Sequence, residues 1–299
     1  MSSGPDGVIA KVFGGLGNQM FQYAAGRALA TRLRQPLQID TRSSHREGNA
    51  HNGFELTRVF AMEPDHATDN SVRRQLGWRS PRLVQRLLRR SKAKRLYGRY
   101  VPEPHYHFWP GFEVLEGPCF LDGYWQSFLY FAASAKALRS EFAFRLPLEH
   151  ANARIAEQIA AAPHPVSIHV RRGDYVSSSR TASHHGVLGL DYYRTALDRV
   201  VDRLARPQFF VFSDDIAWAR ANLPVPGDAV FVGHNTTLDS HFDMHLMSRC
   251  RHHVIANSSF SWWAAWLNAD PDKIVIAPSR WFLAPFDTTT LTPPSWTRI

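Results

Sequence analysis

Arg171 and Arg172 stand side by side behind the short apolar run 166–170, with His169 inside the run and Gly173 and Asp174 after it. Two adjacent arginines at a strand end can place at least one planar guanidinium fork on phosphate oxygens. Asn257, Ser258, Ser259 and Ser261 follow the run 253–256 and lead into a helix carrying Trp262, Trp263 and Trp266. A serine-rich turn that opens a helix offers hydroxyls and unpaired backbone N–H groups at the positive end of the helix dipole. Together these two stretches describe an anion site, and the anion they suit is a diphosphate. Plainer readings stand beside it: Arg171 and Arg172 as a surface ion pair with Asp174 or Asp214, and 257–261 as a simple helix cap.

The elements that must position these residues are legible as alternation. The runs 166–170, 208–212, 229–232, 253–256 and 273–276 are short and β-rich, and helical patterns separate nearly all of them. One such pattern, Tyr193, Ala196, Leu197, Val200, Val201 and Leu204, follows i, i+3, i+4 spacing behind Asp191, a suitable N-cap. Strands alternating with helices predict a parallel sheet covered on both faces, with ligands outside the carboxyl ends of the strands. Polar groups collect there: Ser213, Asp214 and Asp215 after one run, and Pro278, Ser279 and Arg280 after another. The first half opens with a β-turn-α pattern, a strand over 8–13, a glycine turn and a helix bearing Phe21, Ala24, Ala28 and Leu29, followed by a strand over 35–40. A helix is expected over 127–139. The periodicity breaks near Pro147, so the expected organisation is α/β with two Rossmann-like domains, 1–148 and 149–299, facing each other across a cleft.

The turn Gly14-Gly15-Leu16-Gly17-Asn18-Gln19 approaches a dinucleotide fingerprint and fails it, because Met20 occupies the place of the third glycine. It still allows close backbone approach to a ligand. No P-loop and no serine-nucleophile elbow is present. His184-His185 and His252-His253 lack the spacing of a zinc site. Asp270-Pro271-Asp272 spells D-x-D but falls where a helix-to-strand turn is expected. No metal is therefore expected, and arginines are the candidates for neutralising a leaving diphosphate.

At 299 residues and 44% hydrophobic the chain suits two ordinary globular domains. Nothing resembles a signal peptide or a membrane span, and Cys119 and Cys250 form no framework, which makes a reducing cytoplasm the expected compartment. The net charge of +9 predicts attraction to phosphates without saying which. Arginines and lysines crowd into 73–99 and interleave with Leu83, Val84, Leu87, Leu88 and Leu96, as in a basic amphipathic helix. A solvated helix face and a peripheral contact with an anionic inner membrane surface are both open readings; nucleic acid is not the expected partner.

Four phrases, 14–23, 169–175, 212–215 and 256–263, together resemble the bacterial α-1,2-fucosyltransferases of glycosyltransferase family 11. The resemblance implies a GT-B fold, GDP-fucose as donor substrate with no cofactor, and metal-independent inverting transfer to the 2-hydroxyl of a β-galactoside-terminated glycan. It also implies roles for residues. Arg171 holds the β-phosphate with Arg172 in support, His169 and Asp243 contact guanosine, Ser258 and Ser259 form the phosphate turn, and Asn18 reaches the donor from the other domain. Asp243 also suits a buried helix position. Asp174 is the candidate base, or else it orients Arg171; Ser177-Ser178-Ser179-Arg180 beyond it holds no carboxylate. His105, His107, Trp109, Trp125 and Gln126 are candidates for an acceptor groove or for core packing. A nucleotide-sugar hydrolase, another GDP-sugar transferase and a non-enzymatic polyanion-binding protein are the alternatives.

Overall fold

A computed structural model describes residues 7–44, 52–90, 98–173 and 186–299. The chain divides into two compact units, Met1–Arg145 with Thr289–Leu291, and Leu146–Thr288 with Thr292–Ile299.

In the first unit the described elements are β1 (Val8–Lys11), α1 (Leu16–Leu33), β2 (Leu37–Asp40), α2 (Leu56–Val59), β3 (Asp65–His66), α3 (Asp69–Leu76), α4 (Arg82–Arg90), β4 (Tyr100–Pro102), β5 (Phe120–Asp122) and α5 (Ala135–Glu141). The strands form one parallel sheet in the order β3-β2-β1-β5-β4. Val8, Ile9 and Ala10 of the central strand are all buried, as expected for a parallel strand covered on both faces. Gly26 of α1 crosses directly over this strand: a Cβ there would lie 2.7 Å from that of Ala10. The close helix–strand approach that a fingerprint's third glycine provides is thus supplied two turns later, while Met20 is buried.

Two expectations for this unit need correction. Over 127–139 the chain makes two short 3-10 turns, 128–130 and 132–134, and α-helix begins only at Ala135. Ser127 is responsible in part: its hydroxyl donates to the Thr290 carbonyl at 2.7 Å and accepts the Leu129 N–H, tying the chain down where a helix would start. The basic stretch is likewise not one helix. It breaks at Gly77, whose φ is 56°, passes through a 3-10 turn over 77–79 and resumes as α4 after Pro81.

The second unit contains α6 (His150–Ala161), β6 (Pro165–Val170), α7 (Leu190–Val201), β7 (Gln208–Ser213), α8 (Ile216–Asn222), β8 (Ala229–Val232), α9 (His241–Arg249), β9 (His252–Val254), α10 (Ser259–Leu267), β10 (Val275–Ala277) and β11 (Thr297–Arg298). Its parallel sheet runs β11-β10-β9-β6-β7-β8. β6 is buried along its whole length, and Val166, Ile168 and Val170 pack against Tyr193, Ala196, Leu197 and Val200 of α7. The N-cap of α7 is Gly189 rather than Asp191; Asp191 lies in the first turn and pairs with Arg194 at 2.8 Å. Among the described residues no helix is long and apolar enough to cross a membrane.

Candidate active site

A doubly wound sheet leaves a crevice at the carboxyl edge where the strand order reverses. In the second unit β7 and β8 lie on one side of β6, and β9, β10 and β11 on the other. The reversal is between β6 and β9. Arg171 and Arg172 follow β6 directly, and the turn ending at Ser258 follows β9. The two stretches singled out by residue type thus flank the one crevice that the topology provides in this sheet.

The arginines are held from the neighbouring strand end. Arg171 Nη1 lies 3.0 Å from Asp214 Oδ2, whose other oxygen accepts the Arg172 backbone N–H at 2.8 Å. The Arg172 guanidinium sits over the Trp218 ring, 3.9 Å from its centroid, and 3.6 Å from Asp215 Oδ2. Asp215 in turn caps α8 through the Trp218 N–H at 3.1 Å. The ion-pair reading is therefore correct in naming Asp214; it does not exclude a phosphate contact, since a guanidinium carries five N–H donors in all.

His169 ends its side chain inside the unit. The ring is buried, 5.8 Å from that of Phe260, and its Nδ1 has no hydrogen-bond partner among the described residues. Burial pushes its pKa down to about 4, with Asp214 opposing and Arg171 adding, so the ring is neutral at neutral pH. Ser258 is buried and caps α10, accepting the Phe260 N–H at 3.3 Å; Ser259 is the first helical residue. The helix cap and the turn expected to bind phosphate are the same piece of chain.

Asp243 lies in the first turn of α9 and is buried. Its Oδ1 accepts from Asn235 Nδ2 at 2.7 Å, and Asn235 exchanges amide hydrogen bonds with Asn152 at 2.9 and 3.0 Å. Burial raises its pKa from 3.8 to about 7 against the Asn235 hydrogen bond. Asp174 and the pair His184-His185 lie outside the described residues. The Asp270-Pro271-Asp272 triplet is a turn: Asp270 accepts the Asp272 N–H at 2.8 Å and pairs with Arg251 at 2.9 Å.

Asn18 belongs to the first unit, whose own strand order reverses between β1 and β5. Gly14, at φ 78°, makes the turn after β1, and Asn18 follows in the first turn of α1. Its Oδ1 accepts from Gln126 Nε2 at 2.7 Å, and Gln126 follows β5, so this bond spans the reversal. Glu103 stands directly after β4, where the sequence patterns alone do not mark it. Its two carboxylate oxygens accept the N–H groups of Tyr124 and Trp125 at 2.7 and 2.8 Å, and Trp125 adopts φ 56°. Burial raises the Glu103 pKa to about 7, with both backbone hydrogen bonds opposing. A carboxylate immediately after a short β-rich run was the signal available. Of the groove candidates, Trp125 is buried against Phe112 and Tyr130 and belongs to the core, and the His105 and His107 rings stack at 3.5 Å.

The family described as Glycosyl transferase family 11 matches residues 104–299. The chain belongs to glycosyl transferase family 11. An alpha-1,2-colitosyltransferase of Escherichia coli is 33% identical over 302 residues, covering 98% of each chain. The O-antigen biosynthesis glycosyltransferase WbnK of the same organism is 32% identical over 312 residues, covering 95% of this chain and 97% of that one. Among solved structures, the fucosyltransferase NodZ from Bradyrhizobium shares the fold with a TM-score of 0.53 at 17% identity, covering 88% of this chain and 92% of its own. The family 11 chain is thus a glycosyltransferase with the GT-B fold, built of two parallel-sheet α/β units. Membership sets aside the reading as a non-enzymatic polyanion-binding protein.

Proposed function

We propose that this glycosyltransferase moves L-fucose from GDP-β-L-fucose to the 2-hydroxyl of a terminal β-galactosyl acceptor, with inversion and without a metal. The observation that carries the reading is the placement of Arg171, Arg172 and the Ser258-Ser259 turn on the two strand ends that flank the reversal of the second sheet. In this reading residues 149–299 bind the nucleotide sugar and residues 1–148 serve the acceptor. Asp243, when ionised, accepts from the guanine N1–H and N2–H₂ donors, and His169 at the end of β6 is the second candidate contact to the nucleoside. NodZ has been co-crystallised with GDP and soaked with GDP-fucose, which supports the choice of base.

The reaction is a single displacement. The acceptor oxygen forms its bond to fucose C1 as the bond from C1 to the β-phosphate oxygen breaks, and the acceptor proton passes to a base. Negative charge grows on the departing GDP, where Arg171 and the N–H groups of the serine turn stabilise it, with Arg172 in support. Asn18 contacts the donor from the first unit. Asp174 is the candidate base, three residues along the chain from Arg171. The basic segment 73–99 seats the enzyme on an anionic membrane surface.

A second donor is favoured by one observation, the colitosyltransferase similarity along nearly the whole chain. Colitose is the 3-deoxy form of fucose, so GDP-colitose presents the same leaving group to the same site.

Calorimetric titration with GDP, ADP and UDP in EDTA, followed by transfer assays with both GDP-sugars and a β-galactoside, tests the reading. GDP binding that survives chelation, with transfer from GDP-fucose, supports it. Equal binding of UDP, or a need for divalent metal, would overturn the donor site. Transfer from GDP-colitose alone would replace the donor and leave the site standing.

A further inference from the structure

From residue 70 to residue 102 the chain contains eleven Lys and Arg and no carboxylate; the remaining residues carry 24 Lys and Arg against 26 Asp and Glu. The whole positive balance of the protein is therefore local to one stretch of the first unit, separate in sequence from the Arg171 site. Within it, α4 turns Gln85 and Leu88 into the core, and Val84 packs against the same cluster of Ile9, Val72, Leu76, Tyr100 and Phe120. The opposite side of the helix is not purely polar. Leu83 and Leu87, one turn apart, are 69% and 61% exposed, and Trp78 in the preceding 3-10 turn is 56% exposed. Arg82, Arg86 and Arg89 are exposed on the same helix, and Arg73 and Arg74 on α3.

Water-facing leucines at i and i+4 on a helix that already has a core face are costly to leave in solvent, and the arginines around them select what covers them. A second copy of this chain would bring two such cationic stretches together. A nucleic acid would satisfy the arginines and give the leucines nothing. An anionic bilayer satisfies both: headgroup phosphates take the guanidinium groups, and the upper acyl region takes the apolar side chains.

We propose that Trp78, Leu83 and Leu87 insert shallowly into an anionic lipid surface, with Arg73, Arg74, Arg82 and Arg86 on the headgroups, so that the enzyme docks on membranes through the outer face of α4. This rests on the membrane contact of the functional reading and names its geometry, but it is independent of the transfer chemistry.

Cosedimentation of the full chain with vesicles of phosphatidylcholine alone, and of phosphatidylcholine mixed with phosphatidylglycerol, tests it. Strong partition to the mixed vesicles and weak partition to the neutral ones is expected. Leu83→Ser with Leu87→Ser should lower partition about tenfold or more with every cation in place. Arg73→Glu with Arg86→Glu should lower it by about fivefold or more per residue. All four side chains are exposed, so circular dichroism and the melting temperature should not change. Equal partition to both vesicles, no partition, or an unchanged serine variant would each overturn the proposal, the last in favour of a purely electrostatic polyanion surface. So would a concentration-dependent dimer that the serine variant dissociates. Transfer to a soluble acceptor in the absence of vesicles reports separately on the functional reading, so failure of one leaves the other visible.

Discussion

At the reversal of the first sheet the side chains that meet are amides, Asn18 and Gln126, 2.7 Å apart, with Glu103 beneath holding the Tyr124 and Trp125 N–H groups. At the reversal of the second stand guanidinium groups and hydroxyls, Arg171 and Arg172 after β6 and the Ser258-Ser259 turn after β9, with Asp214 and Asp215 as counter-charges. The same topological device carries opposite chemistry. Amides both donate and accept, which suits the hydroxyls of a sugar; guanidinium groups only donate and carry charge, which suits a diphosphate. The asymmetry is the chemical ground for the proposed division, the second crevice for the leaving nucleotide and the first for the sugar side. It also shows that the high net charge is not the signature of either, since the cations that produce it lie between residues 73 and 99.

The comparison breaks most visibly at Arg171. Arg171→Ala should lower kcat/KM for the GDP-sugar by about 10²- to 10³-fold, the usual loss when one donor to a developing oxyanion is removed, and should weaken GDP in calorimetry. Arg171→Lys should recover only part of this, because an ammonium cannot form the fork. If both variants bind and transfer like the wild type, the second crevice is not the nucleotide site.

Asp243 sharpens the base assignment through pH. Its native pKa of about 7 lies above its ordinary 3.8, so the folded chain keeps a proton that the unfolded chain has lost. This residue therefore withdraws stability as pH rises from about 4 to about 7, while GDP affinity should move the other way. Below about pH 7 the carboxyl must lose its proton to accept two guanine donors, and affinity should fall by up to about tenfold per pH unit. Asp243→Asn should flatten both slopes. A wild-type GDP affinity that ignores pH over this range would remove Asp243 from the nucleotide site.

Much of the second unit was legible because its central strands are buried on both faces and most are separated by helices of clear period, and because its candidate chemistry follows strand ends directly. Arg171, Ser258 and Asp214 could be named from position alone. The first unit was harder for identifiable reasons. Helix α1 is buried on nearly all sides, so its packing glycine, Gly26, carries no periodic mark. The 127–139 segment follows a hydrogen bond from Ser127 to Thr290, 163 residues along the chain, which no local pattern encodes. Leu83 and Leu88 are alike by composition, and only the angle at which α4 meets the sheet decides which is buried. Glu103 leaves no mark in the sequence because its partners are backbone N–H groups rather than side chains.

Glu103 tests whether the first crevice depends on its buried carboxylate. Glu103→Ala removes both acceptors from the Tyr124 and Trp125 N–H groups and should cost about 1 to 3 kcal/mol in urea unfolding, the usual penalty for stranding buried donors. Acceptor KM should rise with little change in GDP affinity. A loss of GDP affinity as large as that in Arg171→Ala would contradict the division of labour between the two crevices.

Gln126→Ala is the gentlest probe, and the most specific to the bond that spans the first reversal. It removes one side-chain hydrogen bond worth about 1 kcal/mol and leaves the backbone of the 124–126 turn in place, since Glu103 holds that turn through Tyr124 and Trp125. Loss of this bond removes one hold on Asn18, so under the proposed donor contact kcat/KM should fall about fivefold, with the melting temperature nearly unchanged. Gln126→Glu separates positioning from packing: it keeps the shape but faces the Asn18 oxygen with a carboxylate, so Asn18 must flip its amide to restore the bond. If Asn18 acts by presenting its oxygen toward Gln126 and its amide N–H₂ toward the donor, Gln126→Glu should be worse than Gln126→Ala. Equal losses would mean that Gln126 fills space and does not orient Asn18.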